Sequence, residues 1–438
     1  MLAACSGGDG GTERASTTST TAAAVRCPDG SVVPDARPVA DPPTASPQPR
    51  GPEGRDGALD IGTLLPRTGD LAFLGAAAFA GVELAVDDLD AAGGVLGAPV
   101  GLRHADSAEG TPGTAETGLG GLLDSGADVV IGPLSSATAA LVLPQIAAGG
   151  ALLVSPAATS GGLDALDRTG RLFRTGPTEA LQGGALADLL VSDGHRTVSV
   201  AARADDHGQA IADALEERLA DLDASVVTRA DYDPSAPGLG DDVLDRLDTE
   251  ADAIVLVGLS ESALVLDALV AAGEAPRDRA VYGTDGNLGE RLGDLVEDRG
   301  ALACLRGLLP VDEPDADFAE RVRGHAPELA DLDDAGLDLA AESYDATVVA
   351  ALAVAAAGSD RGEAVAGTMV EVTTGETPCR EPQACLDLIA VGTDIAYVGQ
   401  TGRLALDSEG NRTEAGLTVV AFDADGHLAR LGSRRGRA

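Results

Sequence analysis

Residues 127–155 read ADVVIGPLSSATAALVLPQIAAGGALLVS. The apolar run Val129-Val130-Ile131 stops at Gly132-Pro133. That length, with those bounds, predicts a strand buried on both faces. Ser135 and Ser136 then stand before a longer apolar stretch, as hydroxyl residues do at a helix start, and Gly149-Gly150 supply the stop. A second short apolar run, ALLVS, follows directly. Strand, helix and strand in such short compass form a parallel βαβ unit.

The alternation extends both ways. Upstream lie a strand at ALDIGTLLP, a helix in GAAAFAGVELAVDDLDAAGG, a strand at PVGLRH and a helix over 114–125. In the first helix Phe79, Val82, Val86 and Leu89 recur at helical spacing, with Glu83, Asp87 and Asp88 on other faces. Downstream, helices near 179–193, 208–222, 241–250 and 262–273 precede strands TVSVAA, SVVTRA, DAIVLVG and AVYGTD in an interleaved order. One sheet of that many strands exceeds usual domain size, so two doubly wound α/β lobes are expected. After Gly399, GRLALDSEGNR and AGLTVVAFDADGHL are strand-like and are expected to add to one lobe. The Arg-rich end, 433–438, is expected to fray. The Ala-rich stretch 347–358 reads as a buried helix, too short to cross a membrane.

Composition removes several function classes. The chain has 438 residues, 71 acidic against 30 basic, and a net charge of −41. Nucleic-acid binding needs a basic footprint and aromatic platforms; aromatics are 2% and Trp is absent. No lysine occurs, so Walker-A loops, Schiff bases and S-x-x-K acyl enzymes are excluded. GLSES lacks the second glycine of a nucleophile elbow, and H-E-x-x-H and G-x-G-x-x-G after a strand are missing. His104, His195, His207, His325 and His427 are scattered, and no Cys/His spacing suits zinc. No catalytic residue, metal or cofactor is expected.

The chain opens MLAACSGG, which has the form of a lipid-attachment site at Cys5. Residues 6–57 are rich in Gly, Ser, Thr and Pro and read as a flexible tether, so 1–57 is expected to be lipobox plus tether, with a signal peptide encoded upstream of Met1. Setting Cys5 aside leaves Cys27, Cys304, Cys379 and Cys385. TPCREPQAC is expected to close a small ring through Cys379 and Cys385, and Cys27 with Cys304 is the remaining pair. Disulfides place a protein outside the cytoplasm.

Ligands of open α/β sheets bind beyond the carboxyl ends of the strands. The segments there are PRTGDLAFLG, IGPLSSATA and SPAATSGG in one lobe, and ARADDHGQ, GLSES and GTDGN in the other. Ser135 and Ser136 open a helix whose free N–H groups suit an anion, or act as ordinary caps. Thr159 offers a hydroxyl at the same edge. Asp285 can face a cation or shape a D-G turn, and His207 can reach a ligand or be structural.

IGTLLPRTGDLAFLGAAAFAGVELAVDDLDAAGGVLGAPV, DVVIGPLSSATA, LLVSPAATS, FRTGPTEALQGGALADLL and VYGTDGN, in this order, resemble the branched-chain amino-acid-binding family, the type I periplasmic solute-binding proteins of ABC transporters. The acidic tail with its TPC…C loop is similar to lipid-anchored actinobacterial forms. The resemblance implies two α/β lobes joined by three crossovers, placed at 58–178 with 305–359 and at 179–304 with 360–432. It implies a ligand carboxylate at Ser136, contacts from the Ala157 backbone and the Thr159 hydroxyl, and an ammonium at Asp285, where the family has a longer Glu. His207 and Leu74 replace family aromatics, and Leu259 and Ser260 stand where a tyrosine is expected, so the side-chain pocket is altered. The implied role is binding of an amino acid or related zwitterion for an ABC permease, by a monomer lipid-anchored at the cell surface. The alternatives are a sensor module for amides or small carboxylates, and an α/β hydrolase without a recognisable nucleophile.

Overall fold

A computed structural model describes residues 25–28, 32–33 and 57–437, apart from 70, 109–110, 112, 312–314 and 331–333. Cys5 and most of the expected tether lie outside the described residues. Two sheets organise the chain. The first is six-stranded, in the order Asn411–Arg412, Leu172–Pro177, Leu152–Ser155, Val129–Ile131, Asp60–Leu65 and Gly101–Asp106, all parallel. The second has seven strands: Leu428–Arg437, Glu414–Phe422, Arg306–Leu309, Val281–Gly283, Ala253–Val257, Thr197–Arg203 and Ser225–Tyr232. The first two pair antiparallel, and the rest are parallel from Arg306–Leu309 onward. The central strands bury every residue, as helix-covered parallel strands must. The fold is the expected α/β class.

The chain passes between the sheets three times: at Pro177–Glu179, after Leu309, and at Arg412–Glu414. These positions correct the expected domain limits. Arg306–Leu309 belongs to the second sheet rather than the first lobe. Residues 362–406 belong with the first lobe rather than the second: Val365, Met369, Val372, Cys379, Cys385, Ile395, Tyr397 and Leu404 share one core with Leu59, Ile61 and Val129. The tail divides between the lobes, because Asn411–Arg412 joins the first sheet and Glu414–Phe422 the second. Nor is the end frayed as expected: Leu428–Arg437 pairs along Glu414–Phe422 through Gly436 and Arg437. Part of the expected tether is also structured, since Val25–Arg26 pairs antiparallel with Val32–Val33. The adjacent Cys27 is disulfide-bonded to Cys304 (Cα–Cα 5.3 Å), and Cys379 is bonded to Cys385 (5.4 Å).

The Ala-rich stretch extends into helix Ala340–Ala357, which by length and composition could cross a membrane, contrary to the expected shortness, but most of it is buried inside the first lobe, as expected. It packs against helix Ala72–Ala91 so closely that a Cβ on Gly81 would sit 2.1 Å from the Ala340 carbonyl oxygen. Its Asp345 carboxylate accepts from the Thr401 amide (2.8 Å), the Thr401 hydroxyl (2.7 Å) and the Gln400 amide (2.8 Å). Beside it the buried Arg412 donates to the Thr175 carbonyl (3.0 Å), the Thr401 carbonyl (2.6 Å) and the Glu414 carbonyl (2.6 Å). One guanidinium thus fastens the third crossover to the strand leading into the first.

His104 packs edge-on against Phe79 with ring centroids 5.2 Å apart, and its Nε2 lies 3.4 Å from Glu83. Burial pushes its pKa down to about 4, against the pull of Glu83. The unfolded chain therefore binds a proton that the native state does not, between the ordinary histidine pKa near 6.5 and about pH 4. Stability from this group is complete above that range and falls by about 3 kcal/mol as the pH drops through it. Calorimetric melting from pH 7 to 4 is expected to fall more steeply for the parent than for His104→Gln. Equal slopes would remove His104 as the cause.

Candidate functional site

In each sheet the first strand of the lobe lies inside, with the second on one flank and the third on the other. That reversal opens a crevice at the carboxyl ends of the first and third strands. In the first lobe it is bounded by the segments after Leu65 and Ile131, and in the second by those after Arg203 and Val257. Ser135, Ser136 and His207 thus reach their crevices through topology.

On the first-lobe side, Ser135 caps helix Ser136–Gly149, its hydroxyl accepting from the Thr138 amide at 3.3 Å. The capping alternative therefore describes Ser135. Ser136 is the first helical residue, and its Oγ accepts from the Ser160 amide at 3.2 Å, which leaves the hydroxyl hydrogen to donate. Ser155 shapes the next turn: its hydroxyl donates to the Pro133 carbonyl (2.6 Å) and accepts from the amides of Ala158 (2.9 Å) and Ala157 (3.3 Å). The Thr159 carbonyl accepts the Glu179 amide at 3.1 Å, joining this turn to the first crossover. Leu74 and Ala157 pack half-buried against the first lobe's core, and no described contact joins Leu74 to the polar cluster.

The second-lobe side is acidic. His207 Nδ1 lies 2.9 Å from Glu179 Oε1, and its Nε2 lies 3.8 Å from Asp285 Oδ1. Asp285 accepts from the Gly286 amide at 2.9 Å and bonds to the Gln182 side chain. Burial raises the Asp285 pKa, with Glu179 adding to the rise and His207 opposing it. For His207 burial opposes charge, but the Glu179 bond and the fields of Asp285, Glu179 and Asp205 outweigh it and raise the pKa. Two atoms here are buried without a hydrogen-bond partner: Glu179 Oε2 and His207 Nε2. The Glu179 side chain is only 3% exposed. It opens helix Glu179–Ser192, where the helix dipole favours a negative charge.

Glu179 is the site residue that sequence reasoning missed. In FRTGPTEALQ it reads as an ordinary acidic first-turn residue, and what marks it out is its contact with His207, distant in sequence. The structure links Thr159, His207 and Asp285 through Glu179, with Thr159 contributing its carbonyl rather than the expected hydroxyl, and Ser136 bonds the adjacent residue Ser160. Leu259 is exposed at the rim, its amide donating to Glu261 at 3.0 Å. Among the described residues no group of His, Cys, Asp and Glu is arranged to hold a metal.

Two doubly wound lobes with three crossovers, and facing polar loops at both switch points, define a type I periplasmic binding fold. The chain belongs to the periplasmic binding protein family, whose model matches residues 58–427. That is a family of solute-binding proteins. No protein of curated function matches the sequence. Among solved structures, it is similar to the branched-chain amino acid transporter substrate-binding protein LivJ from Streptococcus pneumoniae in complex with isoleucine, at 19% identity and TM-score 0.63, covering 87% of this chain and 100% of that one. A putative branched-chain amino acid ABC transporter protein from Rhodospirillum rubrum matches at 25% identity and TM-score 0.61, covering 85% and 100%. A solute-binding protein of an ABC transporter from R. palustris, in complex with 4-hydroxybenzoate, matches at 13% identity and TM-score 0.63, covering 87% and 98%.

The loop carrying Thr159 is held from beneath. Arg174 is fully buried and donates to the Ser160 carbonyl, to Asn411 Oδ1 (2.8 Å) and to Asp164 Oδ1 (2.6 Å). Arg174→Met is expected to cost about 3 kcal/mol, because it strands the Asp164 and Asn411 partners. It is also expected to speed hydrogen exchange over 158–164. Urea melts and exchange mass spectrometry check both, and unchanged protection there would detach Arg174 from the site.

Proposed function

We propose that this protein is the extracytoplasmic substrate-binding component of an ABC importer. Its ligand is a small amino acid or related zwitterion held between the lobes. One observation carries the reading: the two sides of the crevice are complementary to opposite ends of a zwitterion. The first-lobe side offers a helix N-terminus and the free Ser136 proton, which suit a carboxylate. The second-lobe side offers Asp285 and the unpartnered Glu179 Oε2, which suit an ammonium. A ligand touching both sides favours the closed arrangement, and hinge closure is the motion general to this class. The isoleucine and 4-hydroxybenzoate of the similar structures share a carboxylate. The acidic second-lobe side here favours the ligand that adds an amine. Anchoring through Cys5, action as a monomer and delivery to a membrane permease complete the proposal.

Thermal-shift screening and calorimetry with the proteinogenic amino acids and their deaminated analogues test it. Ser136→Ala is expected to weaken binding about 10- to 100-fold, the effect of losing a hydrogen bond to a charged group. Asp285→Asn is expected to keep the fold and lose the preference for amine-bearing ligands. Undiminished preference in Asp285→Asn would exclude it as the ammonium partner, and binding of deaminated acids alone would favour a carboxylate-binding protein.

A further inference from the structure

We propose that His207 is a specificity-determining residue that makes ligand capture proton-linked: the imidazolium is the resident cation of the acidic pocket, and a ligand ammonium displaces its proton. The inference rests on the zwitterion reading above. His207 stands between two carboxylates from different elements, Glu179 at 2.9 Å on Nδ1 and Asp285 at 3.8 Å on Nε2. Asp205, the cap of its own helix, is the third negative neighbour, and is itself paired with Arg203, which also reaches Glu261 at 3.1 Å. Without ligand these charges hold the imidazole protonated more firmly than in water, against the cost of its burial.

An ammonium that reaches Asp285 and Glu179 Oε2 arrives beside that imidazolium. Two cations beside the same pair of carboxylates, one of them hydrogen-bonded to Glu179 and 3.8 Å from Asp285, repel, and only the imidazolium can shed its charge at modest cost. Loss of the proton to solvent leaves a neutral imidazole. The proton that remains stays on Nδ1, donating to Glu179 Oε1. The Nε2 lone pair, buried and unpartnered, is then free to accept. Asp285, Glu179 Oε2 and His207 Nε2 together offer as many acceptors as an ammonium has hydrogens. Proton linkage is therefore a property of an imidazole at position 207, which alone among the site's cations titrates near neutral pH.

The sign follows. Below the raised His207 pKa, binding an amine-bearing ligand releases up to about one proton, and affinity rises up to about tenfold per pH unit. A deaminated acid leaves the imidazolium in place, releases none, and gains nothing from higher pH. The experiment is calorimetry of the intact protein at pH 6, in buffers of different ionisation enthalpy. The probes are the proteinogenic amino acids and their deaminated analogues. Release near one proton by the parent, absent with the deaminated analogues and absent in His207→Gln, supports the proposal. Amino-acid binding by the parent without proton release overturns it and leaves the zwitterion reading intact. Release that persists in His207→Gln places the proton on another group and also overturns it. Binding of deaminated acids alone, or of no probe, overturns both.

Discussion

The reversal of strand order beside the first strand of each lobe is the constraint on which the rest depends. Right-handed crossovers force helices on either side of that strand to opposite faces of the sheet. The loops that feed them splay apart, and a crevice is left that no neighbouring helix fills. Because the chain builds this arrangement twice, with the lobes joined at Pro177–Glu179, after Leu309 and at Arg412–Glu414, two crevices are available to the same ligand. The charge placed at each is a local matter. Ser136 lies where helix N–H groups are free, and His207 lies where Glu179 and Asp285 converge. On the proposed reading, topology sets where a ligand sits, and a handful of side chains set which ligand it is.

Much of this was legible in order along the chain. Uninterrupted apolar runs such as Val129–Ile131 and Ala253–Val257 announce strands covered on both faces, and their alternation with helices fixes a parallel fold. Ser136, Thr159, His207 and Asp285 were visible because each follows a strand. Long-range allegiance was not visible. Helices Gly362–Thr374 and Pro382–Ala390 carry an apolar stripe that would suit either sheet, and only the packing of Met369 and Cys385 with the first core decides. Glu179 escaped for a related reason: its burial is a property of the fold, while its sequence neighbourhood is that of any helix start.

The absence of lysine has a structural counterpart. The cations that organise the interior are guanidinium groups with several directed donors. Arg174 joins a loop carbonyl and a helix carboxylate close by in sequence to an amide side chain on a strand far along the chain. Arg412 joins carbonyls on both sides of a crossover. A single ammonium cannot span such sets in a plane, so the two arginines hold loop and hinge in fixed relation while staying charged. The titratable cation of the site is left to histidine alone.

The bond between Cys27 and Cys304 has a mechanical meaning. Without it, tension on the N-terminal segment would enter the molecule at Leu59, at the head of the first sheet. With it, the load bypasses that lobe and enters the second sheet beside Ala421 and Ala429, where Cys27 and Cys304 share a small cluster. The backbone from Cys27 to Cys304 is a closed covalent ring that contains five of the six strands of the first sheet, from Asp60–Leu65 through Leu172–Pro177. The first lobe is therefore shielded from a pull at the N-terminus, and the lobe that carries Glu179, His207 and Asp285 bears it instead.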